Sequence, residues 1–273
     1  MDGIDRLTPI FERFAPQVLV TFADQLGGQL DIGNDEPVGH IHWLKSGQVT
    51  VRSLGISPLF VEQPSVIFVP RQTAHTLASD QGAELVCAKF EFGQRYNNPL
   101  TMIQPAIIVV PIAEVPEIEV VHGLFMSEVF SERCGKSLAA SQLLQYFLLI
   151  LFRHLIKTNA VPMGLLRALG DRRLMRTVTA IHRDPGQTWT LERLAEVATM
   201  SRATFARRFR ELMGTTPLEY LTHWRMTVAQ SLIAQGLPIK SIAPQVGYTS
   251  ASVLTRVFTQ QIGKSPKQWA TAI

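Results

Sequence analysis

The sequence predicts an α+β chain of two domains. An N-terminal β-barrel with trailing helices is followed by an all-α C-terminal domain, in which two helix-turn-helix units are joined by a long helix. Three observations predict this. Runs of β-branched and aromatic residues, broken by turn residues, are confined to positions 17–95. From about Leu165 onward every segment has helical periodicity. A repeat then appears: Ser201, Phe205 and Phe209 recur as Ser250, Leu254 and Phe258, an offset of 49 each time. With 273 residues, 46% hydrophobic and 18% charged, the chain is globular and long enough for two cores.

The strands are expected at Gln17–Phe22, His40–Leu44, Gln48–Arg52, Ser65–Val69 and Glu84–Phe92. Turn residues punctuate them at Gly27-Gly28, Gly33-Asn34-Asp35, Ser46-Gly47, Gly55 and Ser79-Asp80. Many short strands spaced in this way suggest a sandwich or small barrel. Helices are expected at Gly123–Arg133 and Leu138–Lys157. In the second, Leu143, Phe147, Ile150 or Leu151, and Leu155 share a face, and Leu144, Leu148 and Phe152 are apolar beside them. A helix apolar over so much of its circumference is buried on more than one side, against the barrel alone or also against a second subunit. Thr158–Gly164 breaks the periodicity, dividing the chain into residues 1–160, a junction at 161–171 and residues 172–273.

The most apolar run, Tyr146–Phe152, is far shorter than the ~20 residues of a membrane span. The N-terminus lacks a basic start followed by an apolar stretch. A cytoplasmic protein without membrane contact is expected. The two cysteines, Cys87 and Cys134, are too few for a disulfide framework. Cys87 lies in an apolar run and reads as a buried reduced thiol.

The charge is polarised. Residues 1–160 carry 11 basic and 16 acidic side chains, whereas residues 161–273 carry 15 basic and 6 acidic. A basic half points to a polyanionic partner. The first helix-turn-helix is expected at 191–212, with Thr190 as N-cap and Leu191, Leu194, Ala195 and Ala198 as its inner stripe. Ser201 caps the second helix, whose Phe205, Phe209 and Leu212 face the core. Arg202, Ala203, Ala206, Arg207 and Arg210 then face outward. Arginine can make paired hydrogen bonds to guanine, and alanine permits close approach to a thymine methyl.

The second unit is expected at 239–262, with Gly247 in its turn and Ser250 as cap. Leu254, Phe258 and Ile262 point inward, and Ala251, Ser252, Thr255, Arg256 and Thr259 outward, with Arg256 the main cation. Between the units, Pro217 opens a helix from Leu218 to about Ala234, closed by Gly236-Leu-Pro238. One stiff helix would hold two readers about one DNA turn apart on one face of the duplex.

These residues carry a resemblance. Leu194-Ala195, Met200-Ser201, Phe205-Ala-Arg-Arg-Phe209, Gly214-Thr-Thr-Pro217, Tyr220-Leu221 and Trp224-Arg225-Met226 with Ala229 are its first part. Ile242-Ala243, Val246-Gly247-Tyr248, Ser250, Phe258 and Gly263-Lys-Ser-Pro266 complete it. Residues 172–273 resemble the DNA-binding domain of AraC/XylS-type transcription regulators. Thr199 stands where a glycine is usual, and Pro244 sits inside the second unit's leading helix. The segment Leu165–Leu174, with Ala180–Gly186 and Trp189-Thr190, is similar to the junction of the cupin-bearing branch, and His182 before Pro185 reads as structural.

The N-terminal half resembles the cupin-type sensory domain of the same regulators. His40-Ile-His42 places two imidazoles on one strand face, and His75 follows a second strand. Enzymatic cupins add a carboxylate ligand, but Lys45, Ser46 and Gly47 stand where it would fall and Gln72 where a turn glycine would. The resemblance therefore implies an effector-binding or dimerising barrel, with His40, His42 and His75 as candidate effector contacts. No catalytic residue, cofactor or metal is assigned.

The expected function is sequence-specific regulation of transcription, activation being favoured by the resemblance. Its expected partners are double-stranded DNA, an unidentified small effector, RNA polymerase and a second copy of the chain. Two other classes are weaker. A cupin metalloenzyme fused to a helical domain needs the missing ligand, and a protein-interaction module does not explain the outward arginines.

Overall fold

A computed structural model describes residues 5–13, 16–33, 36, 38–92, 103 and 105–271, and all that follows concerns these. Asn34 and Asp35 of the expected turn, and the first four residues of the chain, lie outside them. The chain forms two compact units: Pro16–Phe92 with the described residues from 103 to Thr158 make one, and residues 5–13 with Asn159 onward make the other.

The first unit is a seven-stranded antiparallel sheet: β1 (Pro16–Ile32), β2 (Gly39–Gly47), β3 (Val49–Ser53), β4 (Ile56–Val61), β5 (Ser65–Val69), β6 (His75–Phe92) and β7 (Ile108–Pro111). β6 is its spine. One edge pairs with β1 from Phe92 back to His75, and the other pairs with β3 at His75–Ala78 and with β2 at Ala83–Phe90. The order β4-β3-β6-β2-β5-β7 curls the sheet into a near-closed barrel.

The short strands expected from the sequence are thus partly wrong. β1 and β6 span 17 and 18 residues. Gly27-Gly28 and Ser79-Asp80 read as turns because glycine and aspartate are poor strand formers. They lie instead within continuous strands, where the register shifts between Leu26 and Gly28, as bulges allow.

Alternation sets the two faces of the sheet. Leu44, Ile67, Val69, Leu77, Leu85 and Cys87 pack inside the barrel. Ile41, Trp43, Val66, Phe68, Val86 and Phe90 are buried too, and Trp43 and Phe68 meet the helices α2 (Pro116–Val129) and α3 (Lys136–Thr158). Trp43 stacks on His122 at 4.2 Å and meets Phe147 at 4.8 Å, and Phe68 meets Phe152 at 5.8 Å. Proline at the first turn lets α2 start at Pro116, ahead of the expected Gly123.

α3 has 23 residues and holds an 18-residue stretch of mean hydropathy 1.3, so it meets the length and composition of a membrane span where the run Tyr146–Phe152 did not. The helix simply continues through Arg153 and His154. Its buried residues include Leu144, Phe147, Leu148, Leu151, Phe152 and Leu155, whereas Leu143 is only half-buried. The sheet and α2 together cover these side chains, so the burial on more than one side is met within the unit.

The second unit is helical: α1 (Thr8–Arg13), α4 (Leu165–Gly170), α5 (Leu174–Arg183), α6 (Leu191–Val197), α7 (Arg202–Met213), α8 (Pro217–Ala234), α9 (Ile239–Gln245), α10 (Ala251–Ile262) and α11 (Pro266–Ala270). Caps fix most starts. Thr190, Ser201 and Ser250 accept from the backbone N–H groups of Arg193, Thr204 and Val253. Thr216/Glu219 and Ser265/Gln268 form capping boxes.

α1 is the unexpected member. Leu7 and Ile10 are buried, Arg6 donates to the Leu169 carbonyl at 2.9 Å, and α1 packs on α5. The sequence division at residue 160 groups this segment with the barrel, but its contacts lie among the helices. One helical turn has too little periodicity to announce its partner.

Candidate nucleic-acid interface

Each reading helix is a two-faced rod. On α7, Phe205, Phe209 and Met213 are buried. Leu212, expected inward, is only half-buried, because the core-facing register passes to Met213 at i+4 from Phe209. Arg202, Ala203, Arg207 and Arg210 are exposed and Ala206 is half-buried. Two of the three cations are engaged on the protein itself: Arg202 pairs with Glu192 at 3.0 Å and Arg207 with Glu211 at 2.9 Å. Exposed pairs of this kind hold weakly, so a stronger anion can take the guanidinium groups over.

On α10, Leu254 and Phe258 are buried, Phe258 against Trp269 of α11 at 6.0 Å. Ile262, also expected inward, is half-buried. Ser252, Arg256 and Thr259 are exposed, and Ala251 and Thr255 half-buried. Among the described residues Arg256 makes no ion pair, and it is the lone charge on the helix.

The turns explain how two short helices hold each reader at a set angle. In the first, Thr199 adopts φ +55°, and the Met200 N–H donates to the Ala195 carbonyl at 3.0 Å. In the second, Gly247 adopts φ +74°, and the Tyr248 N–H donates to the Ala243 carbonyl at 2.9 Å. Both are left-handed helix ends closed by a six-residue bond. Ala195 and Ala243, like Thr199 and Gly247, repeat at an offset of 48, whereas Ser201 and Ser250 repeat at 49. Thr249 is the extra residue, so the second turn is one residue longer. Pro244 leaves α9 intact because it is exposed and costs one bond only, that to Lys240, itself exposed.

One side chain that sequence reasoning left without a role ties the two helix-turn-helix units together. Arg225, near the middle of α8, donates through Nε to the Pro185 carbonyl at 2.9 Å and through Nη2 to the Gln187 carbonyl at 2.8 Å. Pro185 and Gln187 lie in the loop leading to the first unit. The same guanidinium lies 5.5 Å from the Tyr248 ring centroid in the second unit's turn. A Cβ on Gly247 would strike Arg225, and one on Gly186 would come within 2.8 Å of the Gln245 carbonyl. Glycine is needed at both positions for this approach. Nearby, His182 stacks on Trp224 at 3.8 Å and meets the Tyr220 hydroxyl at 2.5 Å through Nε2, which agrees with a structural role.

The barrel brings His40, His42 and His75 together. Ring centroids lie 4.9 Å apart for His42–His75, 5.4 Å for His40–His75 and 6.0 Å for His40–His42. His75 Nδ1 lies 2.7 Å from the Thr73 carbonyl, which only a proton on that nitrogen can satisfy. Its Nε2 is then an acceptor for His42 Nε2–H at 2.7 Å. Nδ1 of His42 and of His40 is buried without a hydrogen-bond partner. Burial, then the neighbouring His75 and Lys89, pushes the His40 pKa down to about 4; burial also lowers those of His42 and His75. The cluster is therefore neutral, with His42 Nδ1 an unused acceptor and His40 Nδ1 a second buried nitrogen without a partner; His42 lies opposite Cys87, whose thiol burial pushes up to about 12.

A barrel carrying buried imidazoles and a helical unit with two readers on one strut define a DNA-binding protein with a separate second module. Residues 194–272 match the helix-turn-helix domain family, and residues 5–157 match the cupin family. An AraC-like transcription regulator described from Streptomyces lividans is 32% identical over 67% of this chain and 61% of its own length, so the chain spans less than two thirds of that relative. An uncharacterised helix-turn-helix-type transcriptional regulator of Haemophilus influenzae is 26% identical over 100% of this chain and 99% of its own. The transcriptional activator RclR of Escherichia coli K12, described as specific for RCS, is 28% identical over 98% and 97%. The chain belongs to the AraC/XylS-type transcription regulators that carry an N-terminal cupin domain.

Proposed function

We propose that the protein is a sequence-specific DNA-binding regulator in which α7 and α10 enter successive major-groove segments and the barrel takes up a small effector. One observation carries this: the two readers share α8, and Arg225 holds the approach to one and the turn of the other. Arg202, Ala203, Ala206, Arg207 and Arg210 are the contacts of the first reader, and Ala251, Ser252, Thr255 and Arg256 those of the second. The first grips mainly by charge, and the second by hydroxyl and van der Waals contact.

The division of labour assigns residues 16–158 to effector binding and 159–273 to DNA. His40, His42 and His75 offer a hydrogen-bonding effector the bare Nδ1 atoms of His40 and His42, that of His42 as an acceptor. The protein acts by binding and not by catalysis, a reading supported by Lys45 and Ser46 standing in place of a carboxylate ligand. It works inside the cell, where its DNA is. Activation is the regulatory sense we adopt, in keeping with RclR, which is described as an activator, and RNA polymerase is the partner that activation would engage. A second copy of the chain is the expected partner of the exposed Val120, Leu124, Leu138 and Tyr146 on α2 and α3.

Selection of bound sequences from a random DNA pool tests the proposal. Two conserved blocks about one helical turn apart are expected. Enrichment of no sequence, or of a single short block, would sink the two-reader assignment.

A further inference from the structure

Beside the first reader lies a basic cleft that the reading residues do not account for. It is a cavity of about 510 Å3 between the α4–α5 turn and the flank of α7. Arg167, Arg172 and Arg173 line one side, and Thr204, Arg207 and Arg208 the other. Asp171 is the one acid in its wall, and it is fully engaged. It accepts from Arg208 Nε at 2.9 Å and Nη2 at 2.5 Å, and from the backbone N–H groups of Arg173 and Leu174 at 3.0 Å each.

Asp171 thus neutralises Arg208 and fixes the turn that presents the other cations. Arg167 leans on a neutral oxygen, Asn159 Oδ1, at 2.5 Å. Arg172 and Arg173 are exposed and make no ion pair among the described residues. The wall therefore holds a surplus of positive charge in a fixed arrangement.

Arg207 belongs both to this wall and to the outward face of α7. The cleft therefore opens alongside the surface that meets DNA. A helix seated in a major groove about 12 Å wide is bordered by a phosphate strand on each flank. We propose that Arg172 and Arg173, backed by Arg167, clamp the phosphate strand bordering the groove that α7 enters. They extend the contact beyond the two helix-turn-helix units without reading bases. This rests on the assignment of α7 as a DNA reader. An open cleft whose free cations are exposed suits a passing strand better than an enclosed small anion.

The experiment uses the full chain and a DNA site obtained by selection, with equilibrium binding followed over a salt series. For Arg172→Ala/Arg173→Ala, the plot of log K against log salt should become shallower by about two, since each phosphate contact contributes about 0.9. Base preference should stay unchanged, and Arg172→Lys/Arg173→Lys should keep most of the slope. Phosphate-ethylation interference at the flank of the first block should vanish in the alanine variant alone. An unaltered slope and interference pattern, with wild-type binding intact, overturns the clamp and leaves the reader standing. So does unaltered DNA binding in a variant that has lost wild-type binding of inorganic pyrophosphate, which would make the cleft a small-anion site. A wild-type chain that binds no DNA removes the reader assignment and the clamp with it.

Discussion

Thr199 illustrates how one residue can work against the fold it serves. Its φ of +55° closes the first turn, yet a β-branched side chain is the least suited to that region, at a cost of roughly 1–2 kcal/mol. Gly247 meets the same requirement without that cost. Thr199→Gly should stabilise the helical unit by up to ~1 kcal/mol, with DNA preference unchanged. A thermal melt checks it, and a lowered midpoint would show that the threonine side chain compensates for its backbone. The histidine cluster has the opposite character, since its neutrality is what the fold requires. The folded pKa of His40 is about 4 and those of His42 and His75 are also depressed. As pH falls through the ordinary value near 6.5, the unfolded chain takes up protons and the folded barrel does not. The stability is therefore full above about pH 6.5 and declines as pH falls below it, His40 contributing to the decline down to about pH 4 at no more than about 1 kcal/mol per pH unit. Urea melts of wild type and His40→Gln at several pH values check this. The variant should show a slope smaller by one proton, and equal slopes would mean that His40 titrates normally.

At the scale of elements, the geometry of the readers depends on a strut and a tie. Arg225→Ala removes two charge-assisted bonds, to the Pro185 and Gln187 carbonyls, and should cost about 2–3 kcal/mol of stability. It should also weaken binding to a DNA carrying both blocks more than binding to either block alone, because the spacing is no longer fixed. Arg225→Lys should fall between, since an ammonium cannot reproduce the fork. Equal losses on whole and half sites would reduce Arg225 to a stabilising residue. The tie was invisible in the sequence, although Trp224-Arg225-Met226 stood out as a motif, because its partners are some forty residues upstream and more than twenty downstream. The readers were legible: Ser201, Phe205 and Phe209 carry cap and core spacing within one helix. Where a local signal competed with tertiary context, the sequence misled. Gly27-Gly28 looked like a turn and is a bulge in β1, and Leu212 looked like core although the helix turns Met213 inward.

At the scale of the whole molecule, the barrel unit begins at Pro16 and ends at Thr158, and the chain on both sides of it belongs to the helical unit. Among the described residues the barrel thus borders helical-unit chain at its start, after α1, and at its end, before α4, and a change in it has a covalent route through each. The first route starts from α1, whose hold on α5 comes from Leu7, Ile10 and the Arg6 bond to Leu169. Ile10 is fully buried, and Ile10→Ala should cost about 2–5 kcal/mol, as large-to-small core changes do. The unit in which that loss appears decides where the N-terminus belongs. Hydrogen exchange on the full-length chain reads it directly. Faster exchange in α5, with β2 and β6 unchanged, is expected. Faster exchange confined to the strands would return residues 5–13 to the barrel and restore a simple boundary near residue 160. A fragment of residues 159–273 should accordingly bind the same DNA sequence as the full chain, at a lower melting temperature, because α5 loses the cover of Leu7 and Ile10. A fragment as stable as the helical unit of the full chain would show that α1 contributes nothing to it.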